Sequence, residues 1–231
     1  FNAHLDTHVP GKNIRPRVRG NYIRSGGDTI LGADDKAGVA AILEMLKVIK
    51  DEKIPHGDLR VIFTVAEEIG LAGVKLLKRR DIRAKAGFAI DGGHSEKVVI
   101  SAPSQDNLIF NIRGKAAHAG VHPEHGISAI RVAAEAISKI KHGRLDKETT
   151  ANIGTIHGGV ATNIVPEEVE VKGEARSRSE KKLKKQVRHM RDVFSRTCRR
   201  YGAKLKIEEV RLYDAFRLKE NSLPLSLIRR T

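Results

Sequence analysis

The chain has 231 residues, enough for one large domain or two modest ones. At 40% hydrophobic and 31% charged residues it can bury a core, which excludes a disordered composition, and no apolar run approaches the roughly 18 residues that would span a bilayer. Its net charge of +15 raises the question of nucleic acid, and its single cysteine, Cys198, excludes an internal disulfide.

The first part alternates strand and helix. Phe1–Leu5 reads as a strand from the outset, with no initiator Met before it. Tyr22–Leu31 reads as a hairpin turning at Ser25-Gly26-Gly27-Asp28. Lys36–Lys50 is an amphipathic helix with Val39, Ile42, Leu43, Leu46 and Ile49 on one face. Leu59–Ala66 is a buried strand, Leu71–Arg80 a short helix, and Gly87–Ile90 and Val98–Ala102 are strands. Such alternation predicts an α/β fold with a twisted, mostly parallel sheet flanked by helices.

After about residue 105 the pattern changes. Strand Leu108–Arg113, helix Gly126–Lys141, strands Ala151–His157 and Val169–Ala175, helix Glu180–Tyr201 and strand Ala203–Val210 follow in turn. This is the βαββαβ order of a ferredoxin-like α+β unit. The expected division is 1–105, 106–212 and a returning tail 213–231, in which Pro224 opens a helix running out at Thr231.

The positive charge crowds into Arg176–Arg200, where apolar Leu183, Val187, Met190, Phe194, Cys198 and Tyr201 recur at helical spacing. The charges are therefore the wet face of a helix with one buried stripe. No aromatics interleave with them as a nucleic-acid stacking platform requires, so neither nucleic acid nor membrane is an expected partner. Cys198 falls on the apolar stripe and reads as a small buried hydrophobe, and a lone unpaired cysteine leans towards a cytoplasmic, reducing compartment.

Acids and one imidazole gather at predicted strand ends: His4 and Asp6, Asp34 and Asp35, Glu67 and Glu68, and Asp91. Each of these alone reads more readily as an ordinary surface or capping pair, a helix-start charge or a turn. Together they fall where open α/β sheets bind ligands, and clustered carboxylates repel one another unless cations neutralise them. A set rich in Asp and Glu with one His suits divalent metals.

The surrounding blocks carry a resemblance. They are Ala3-His4-Leu5-Asp6-Thr7, Leu31-Gly32-Ala33-Asp34-Asp35-Lys36-Ala37-Gly38, Thr64-Val65-Ala66-Glu67-Glu68-Ile69-Gly70 and Asp91-Gly92-Gly93. Later stretches, Arg113 to Gly120 and Asn152 to Pro166, match in the same way. The sequence resembles the dinuclear zinc exopeptidases that include peptidase T, dipeptidases, aminoacylases and glutamate carboxypeptidase, and the peptidase T-like branch most closely. The ferredoxin-like unit then corresponds to an inserted lid or dimerisation domain.

The resemblance implies roles residue by residue. Asp34 would bridge two divalent metals, most simply Zn2+, with Co2+ or Mn2+ as alternatives. His4 and Asp91 would complete one site and Glu68 would join Asp34 at the other. Glu67 would be the general base and Asp6 would hold the His4 ring. His118, Asn163 and Arg176 would contact substrate, a short peptide, in a homodimer formed through the lid. The family's second site takes a further His from near the end of the catalytic domain, and the expectation is that this chain stops before it. Residues 1–231 alone are then expected to hold one metal better than two and to be inactive. The reaction implied is aminopeptidase or tripeptidase hydrolysis, with N-acyl amino acid deacylation or carboxypeptidase action as alternatives. A non-catalytic basic binding module is the alternative of another class.

Overall fold

Strand β1, Asn2–His4, lies parallel to β4, Ile62–Thr64, with Ala3 opposite Phe63 and His4 opposite Thr64. On its other side Asn2 forms a parallel bridge to Ala89, and Ile90 N–H donates to the Asn2 carbonyl at 2.9 Å. These positions come from a computed structural model that describes residues 1–94 and 96–230. Parallel pairing on both sides makes β1 the centre of this part, which is why Ala3 and His4 are buried.

The predicted parallel sheet is thus present but spare. The strand expected over Leu59–Ala66 is as short as its partner β1, and the one expected over Gly87–Ile90 is a single bridge. The helix expected over Leu71–Arg80 is one 3-10 turn, Val74–Leu76. Leu71 sits at φ 60°, and Gly73 lies so close to the Val65 carbonyl that a Cβ would fall 2.0 Å from it. The left-handed backbone at Leu71 and the extended backbone at Leu77, ψ 138°, confine the helix to that one turn. The hairpin also shifts: β2, Pro16–Arg19, pairs with β3, Tyr22–Ser25, around Gly20-Asn21. Gly20 at φ 57° supplies the left-handed conformation that a two-residue turn demands.

Helix α1 spans Ala33–Asp51, but Asp34 and Asp35 have non-helical backbone angles, so the regular helix begins near Lys36 as expected. It buries Gly38 and Ile42 against the sheet. Leu43, expected on the same face, is 53% exposed, because the buried arc is narrower than the apolar stripe.

The chain divides into two compact units, one comprising Phe1–Val99 with Leu218–Thr231, the other Ile100–Arg217. The second unit is closed by β5, Ser101–Ala102, which pairs antiparallel with β11, Phe216–Arg217. That pairing sets its edges outside the 106 and 212 read from the sequence, and takes the strand expected over Val98–Ala102 out of the parallel sheet.

Within the second unit, β6 is Ser104–Arg113, α2 Ala129–Lys139, β7 Gly143–Arg144, β8 Thr149–Gly158, β9 Glu168–Ser177, α3 Glu180–Tyr201 and β10 Lys204–Tyr213. The sheet order is β10-β6-β9-β8-β7, antiparallel throughout. This is the ferredoxin-like arrangement, with a register shift between Ile153 and Thr155. Leu108, Phe110 and Ile112 alternate inward on β6 to meet Val132 and Ala136 of α2 and Met190 and Phe194 of α3. The Phe110 and Phe194 rings stack with centroids 3.8 Å apart. Burying each phenyl contributes about 1.5–3 kcal/mol relative to exposure. Ser128 and Ser179 cap the two helices through Arg131 N–H and Lys182 N–H, and Gly202 ends α3 at φ 71°. The basic residues of α3 are its solvent face, and Cys198 is buried with its thiol pKa pushed up to about 11 by desolvation.

The short helix α4, Leu223–Ile228, has Pro224 in its first turn, as expected; Thr231, where it was expected to run out, lies outside the described residues. Among the described residues no helix is long and apolar enough to cross a membrane.

Candidate metal centre

His4 ends β1 at 3% exposure. Its Nδ1 faces the Asp6 carbonyl at 3.0 Å and its Nε2 faces Asp34 Oδ1 at 3.1 Å. A carbonyl can only accept, so Nδ1 carries the proton in the neutral ring and Nε2 presents a lone pair. That lone pair points at a carboxylate oxygen. Only a proton or a cation between them makes the arrangement favourable. Burial opposes charge on the ring, but the Asp34 hydrogen bond and the negative charges of Glu67, Asp91 and Asp6 override it and raise the His4 pKa.

Asp6 stands two residues beyond. Its Oδ1 is 3.4 Å from His4 Nδ1, farther than its own backbone carbonyl, so the ring is held chiefly by the backbone. The carboxylate instead accepts the N–H groups of Glu67 at 3.0 Å and Glu68 at 3.1 Å. Desolvation would raise its pKa, but those two donors hold it below the usual carboxylate range. Ala66 at φ 56° makes the turn that aims both N–H groups at Asp6.

Glu67 and Glu68 leave β4 on that turn. Burial raises the Glu67 pKa, and Asp91, Glu68 and Asp6 add to the effect against the opposing pull of His4. Glu68 Oε2 is 2.6 Å from His8 Nε2, while Glu68 Oε1 is buried without a hydrogen-bond partner. An orphaned buried carboxylate oxygen costs stability unless something pairs with it.

Asp34 and Asp35, joined by a cis peptide, point in different directions. Asp35 is 4% exposed, and its oxygens accept His4 N–H at 3.2 Å and Gly38 N–H at 3.1 Å. Burial raises its pKa. Asp34 turns outward to His4 and Asp91. Asp91 follows the bridged segment, and burial followed by the charges of Asp35 and Asp34 raises its pKa. Gly38 sets the spacing: a Cβ there would lie 2.0 Å from the Ile90 carbonyl oxygen and 2.4 Å from Asp35 Oδ1. Only a glycine lets α1 approach the segment that carries Asp91.

Two sets of potential ligand atoms result, His4 with Asp34 and Asp91, and His4 with Glu67 and Glu68, each within 4.8 Å. The donor chemistry, the lone pair at His4 Nε2 and the orphaned Glu68 oxygen all fit divalent cations. The first unit therefore brings together six expected positions: His4, Asp6, Asp34, Glu67, Glu68 and Asp91.

In the second unit, His118 forms an antiparallel bridge with Ile164, and Ala119 N–H donates to the Asn163 carbonyl at 2.9 Å. His118 and Asn163 are therefore neighbours, both exposed. His118 Nδ1 accepts Gly120 N–H at 3.2 Å, which leaves Nε2 as the outward donor of a neutral ring. Arg176 lies on β9, its Nε and Nη2 gripping both oxygens of Glu174 at 2.8 and 2.9 Å. Glu174 also accepts Gln105 Nε2 at 2.8 Å.

Two contributors, Asp35 and His8, carry no signal in their local sequence that marks their part in the site. Asp35 looked like a helix-start charge beside Asp34; its burial is visible only once β1 is placed. His8 lay in an irregular stretch, four residues past His4, with no periodicity to link it to Glu68.

A buried imidazole ringed by strand-end carboxylates has the donor set of a divalent-metal centre, and the chain also carries a ferredoxin-like unit. Comparison with known proteins narrows this. The family described as peptidase dimerisation domain matches residues 104–202, and that described as M42 glutamyl aminopeptidase matches residues 21–114. The chain is 46% identical over 221 residues to the uncharacterized protein YqjE of Bacillus subtilis, covering 95% of this chain and 60% of that protein. It is 29% identical over 189 residues to peptidase T of Escherichia coli K12, covering 68% and 46%. The structure of a tripeptidase from Staphylococcus aureus superposes with a TM-score of 0.92 at 45% identity, covering 99% of this chain and 62% of that one. The structure of aminopeptidase PepT from Bacillus cereus gives 0.84 at 45%, with the same coverage. The chain is therefore similar to peptidase T-like proteins over most of its own length. It spans about 60% of the length of YqjE and under half that of peptidase T.

Proposed function

We propose that the protein hydrolyses peptide bonds in short peptides, acting as an aminopeptidase or tripeptidase with two bound divalent ions, most simply Zn2+. The observation that carries this reading is the His4 Nε2 lone pair facing Asp34 across 3.1 Å, inside a ring of Glu67, Glu68 and Asp91. His4, Asp34 and Asp91 would hold one ion, and Glu68 with Asp34 would contribute to the second. When bound, such ions make water a strong nucleophile near neutral pH and polarise the scissile carbonyl.

The chain's own residues supply the rest. Glu67 takes the proton from the attacking water and returns it to the departing amine, a task for which a raised pKa is suited. Asp6 fixes Glu67 and Glu68 by their backbone N–H groups, and Asp35 fixes the His4 backbone. His118 and Asn163, side by side, and Arg176 are the proposed contacts for substrate. The first unit is the proposed catalytic part and the second a lid through which two copies pair. A single buried cysteine is in keeping with a cytoplasmic setting.

The test is an assay of the full-length protein on tripeptides and on N-acyl amino acids, each before and after chelation. Tripeptide hydrolysis lost on chelation and restored by Zn2+, Co2+ or Mn2+ is the expected result. Preference for N-acyl amino acids would replace this reading with a deacylase.

A further inference from the structure

We propose that His122, Glu124 and His125, all on the second unit, form a further site for a divalent transition metal. The three ligand atoms lie within 4.8 Å of one another. Glu124 Oε1 is 3.3 Å from His122 Nδ1 and 3.8 Å from His125 Nε2. Ligands about 2.0–2.1 Å from a shared tetrahedral ion sit roughly 3.3 Å apart, so small side-chain rotations complete the geometry.

The backbone prepares this arrangement. Pro123–His125 is a 3-10 turn, closed by His125 N–H to the His122 carbonyl at 3.2 Å and Gly126 N–H to the Pro123 carbonyl at 3.1 Å. His122 immediately precedes that turn, and its ring lies on the same side as that of His125. Their rings stack at 5.0 Å with an interplanar angle of 17°. Pro123 fixes its own φ and removes one freedom that binding would otherwise have to order. All three side chains are between 62% and 65% exposed, so an ion reaches them without any opening of the fold.

Two imidazoles and one carboxylate select zinc, nickel or copper over calcium or magnesium, which require mostly oxygen ligands. The remaining coordination positions face solvent. The turn is also tied to His118, whose carbonyl accepts Val121 N–H at 3.3 Å and His122 N–H at 3.1 Å. An ion held by His122 and His125 therefore pins residues 118–126 as one piece.

The probe is Ni2+ alone, titrated into the full-length protein and into the double variant His122→Ala/His125→Ala. Wild type should bind one equivalent more than the double variant. Asp34→Ala, which alters only the strand-end cluster, should keep that equivalent. Ni2+ should slow amide exchange at Val121, His122 and His125 in wild type and in Asp34→Ala, and not in the double variant. Circular dichroism matching wild type checks that the exposed substitutions leave the fold intact, and Glu124→Gln provides a milder variant with weakened uptake. Equal Ni2+ uptake by wild type and the double variant overturns the proposal, as does unchanged exchange in the turn at saturating Ni2+.

Discussion

The carboxylate of Asp6 accepts the backbone N–H of Glu67 at 3.0 Å across 61 residues of chain. One side chain thus ties the strand that carries His4 to the turn that carries the acids. Asp6→Ala should lower zinc affinity by about 10–100-fold, the usual effect of losing a group that orients ligands. Calorimetric zinc titration measures it, and an unaltered affinity would show that Ala66 and its turn hold the acids unaided.

Glu67→Gln retains the shape of the side chain and removes its ability to accept a proton. In the full-length protein, turnover should fall by about 10²–10⁴ while metal content stays unchanged. The pair of measurements is steady-state hydrolysis and elemental analysis. Turnover within a few-fold of wild type would assign proton transfer to another group.

Gly38→Ala tests spacing without touching a ligand. The added methyl meets the Ile90 carbonyl at 2.0 Å, so α1 and the segment ending in Asp91 must separate. Strain of this sort typically costs about 1–3 kcal/mol in stability. Metal affinity should drop as well, because Asp34 and Asp91 move apart. Thermal unfolding and zinc titration read the two effects; a variant of wild-type stability and affinity would show that the segments have slack.

A fourth prediction concerns acid stability of the second unit. Glu135 accepts from Lys139 and from Tyr201 Oη and pairs with Arg200 at 2.7 Å. Hydrogen bonds from Lys139 and Tyr201 first, then the Arg200 charge, lower its pKa from 4.5 to about 2. Because the folded pKa lies below the unfolded one, the stabilisation is complete above 4.5 and fades as pH falls towards 2. The stability difference between wild type and Glu135→Gln should be greatest above pH 4.5 and vanish near pH 2. Denaturant unfolding across that range checks it; a difference that grows on acidification would reverse the sign.

Legibility in the sequence followed the strength of local signals. The helix at Glu180–Tyr201 emerges with its predicted bounds because an apolar stripe, a serine cap and a closing glycine all agree. The ferredoxin-like order was readable because β6 and β9 alternate against one buried face and both helices carry apolar stripes. The first unit was harder. Its strands are only as long as their partners allow, and Leu71 adopts a left-handed conformation that no residue preference announces. The acids at strand ends stood out as a group, since their positions follow from strand termini alone. The buried roles of Asp35 and the contact between His8 and Glu68 depend on how distant segments meet, which no local pattern encodes.

The antiparallel pairing of Ser101–Ala102 with Phe216–Arg217 brings the entry and exit of the second unit side by side. Paired residues of this kind have Cα atoms about 5 Å apart. The entropic cost of closing so long an excursion is therefore met by contacts inside the excursion. To the rest of the chain the unit behaves as a cassette on a two-stranded stem. Excision between Ile100 and Arg217 therefore leaves two ends close enough for a short linker to join, with the sequence on either side unaltered.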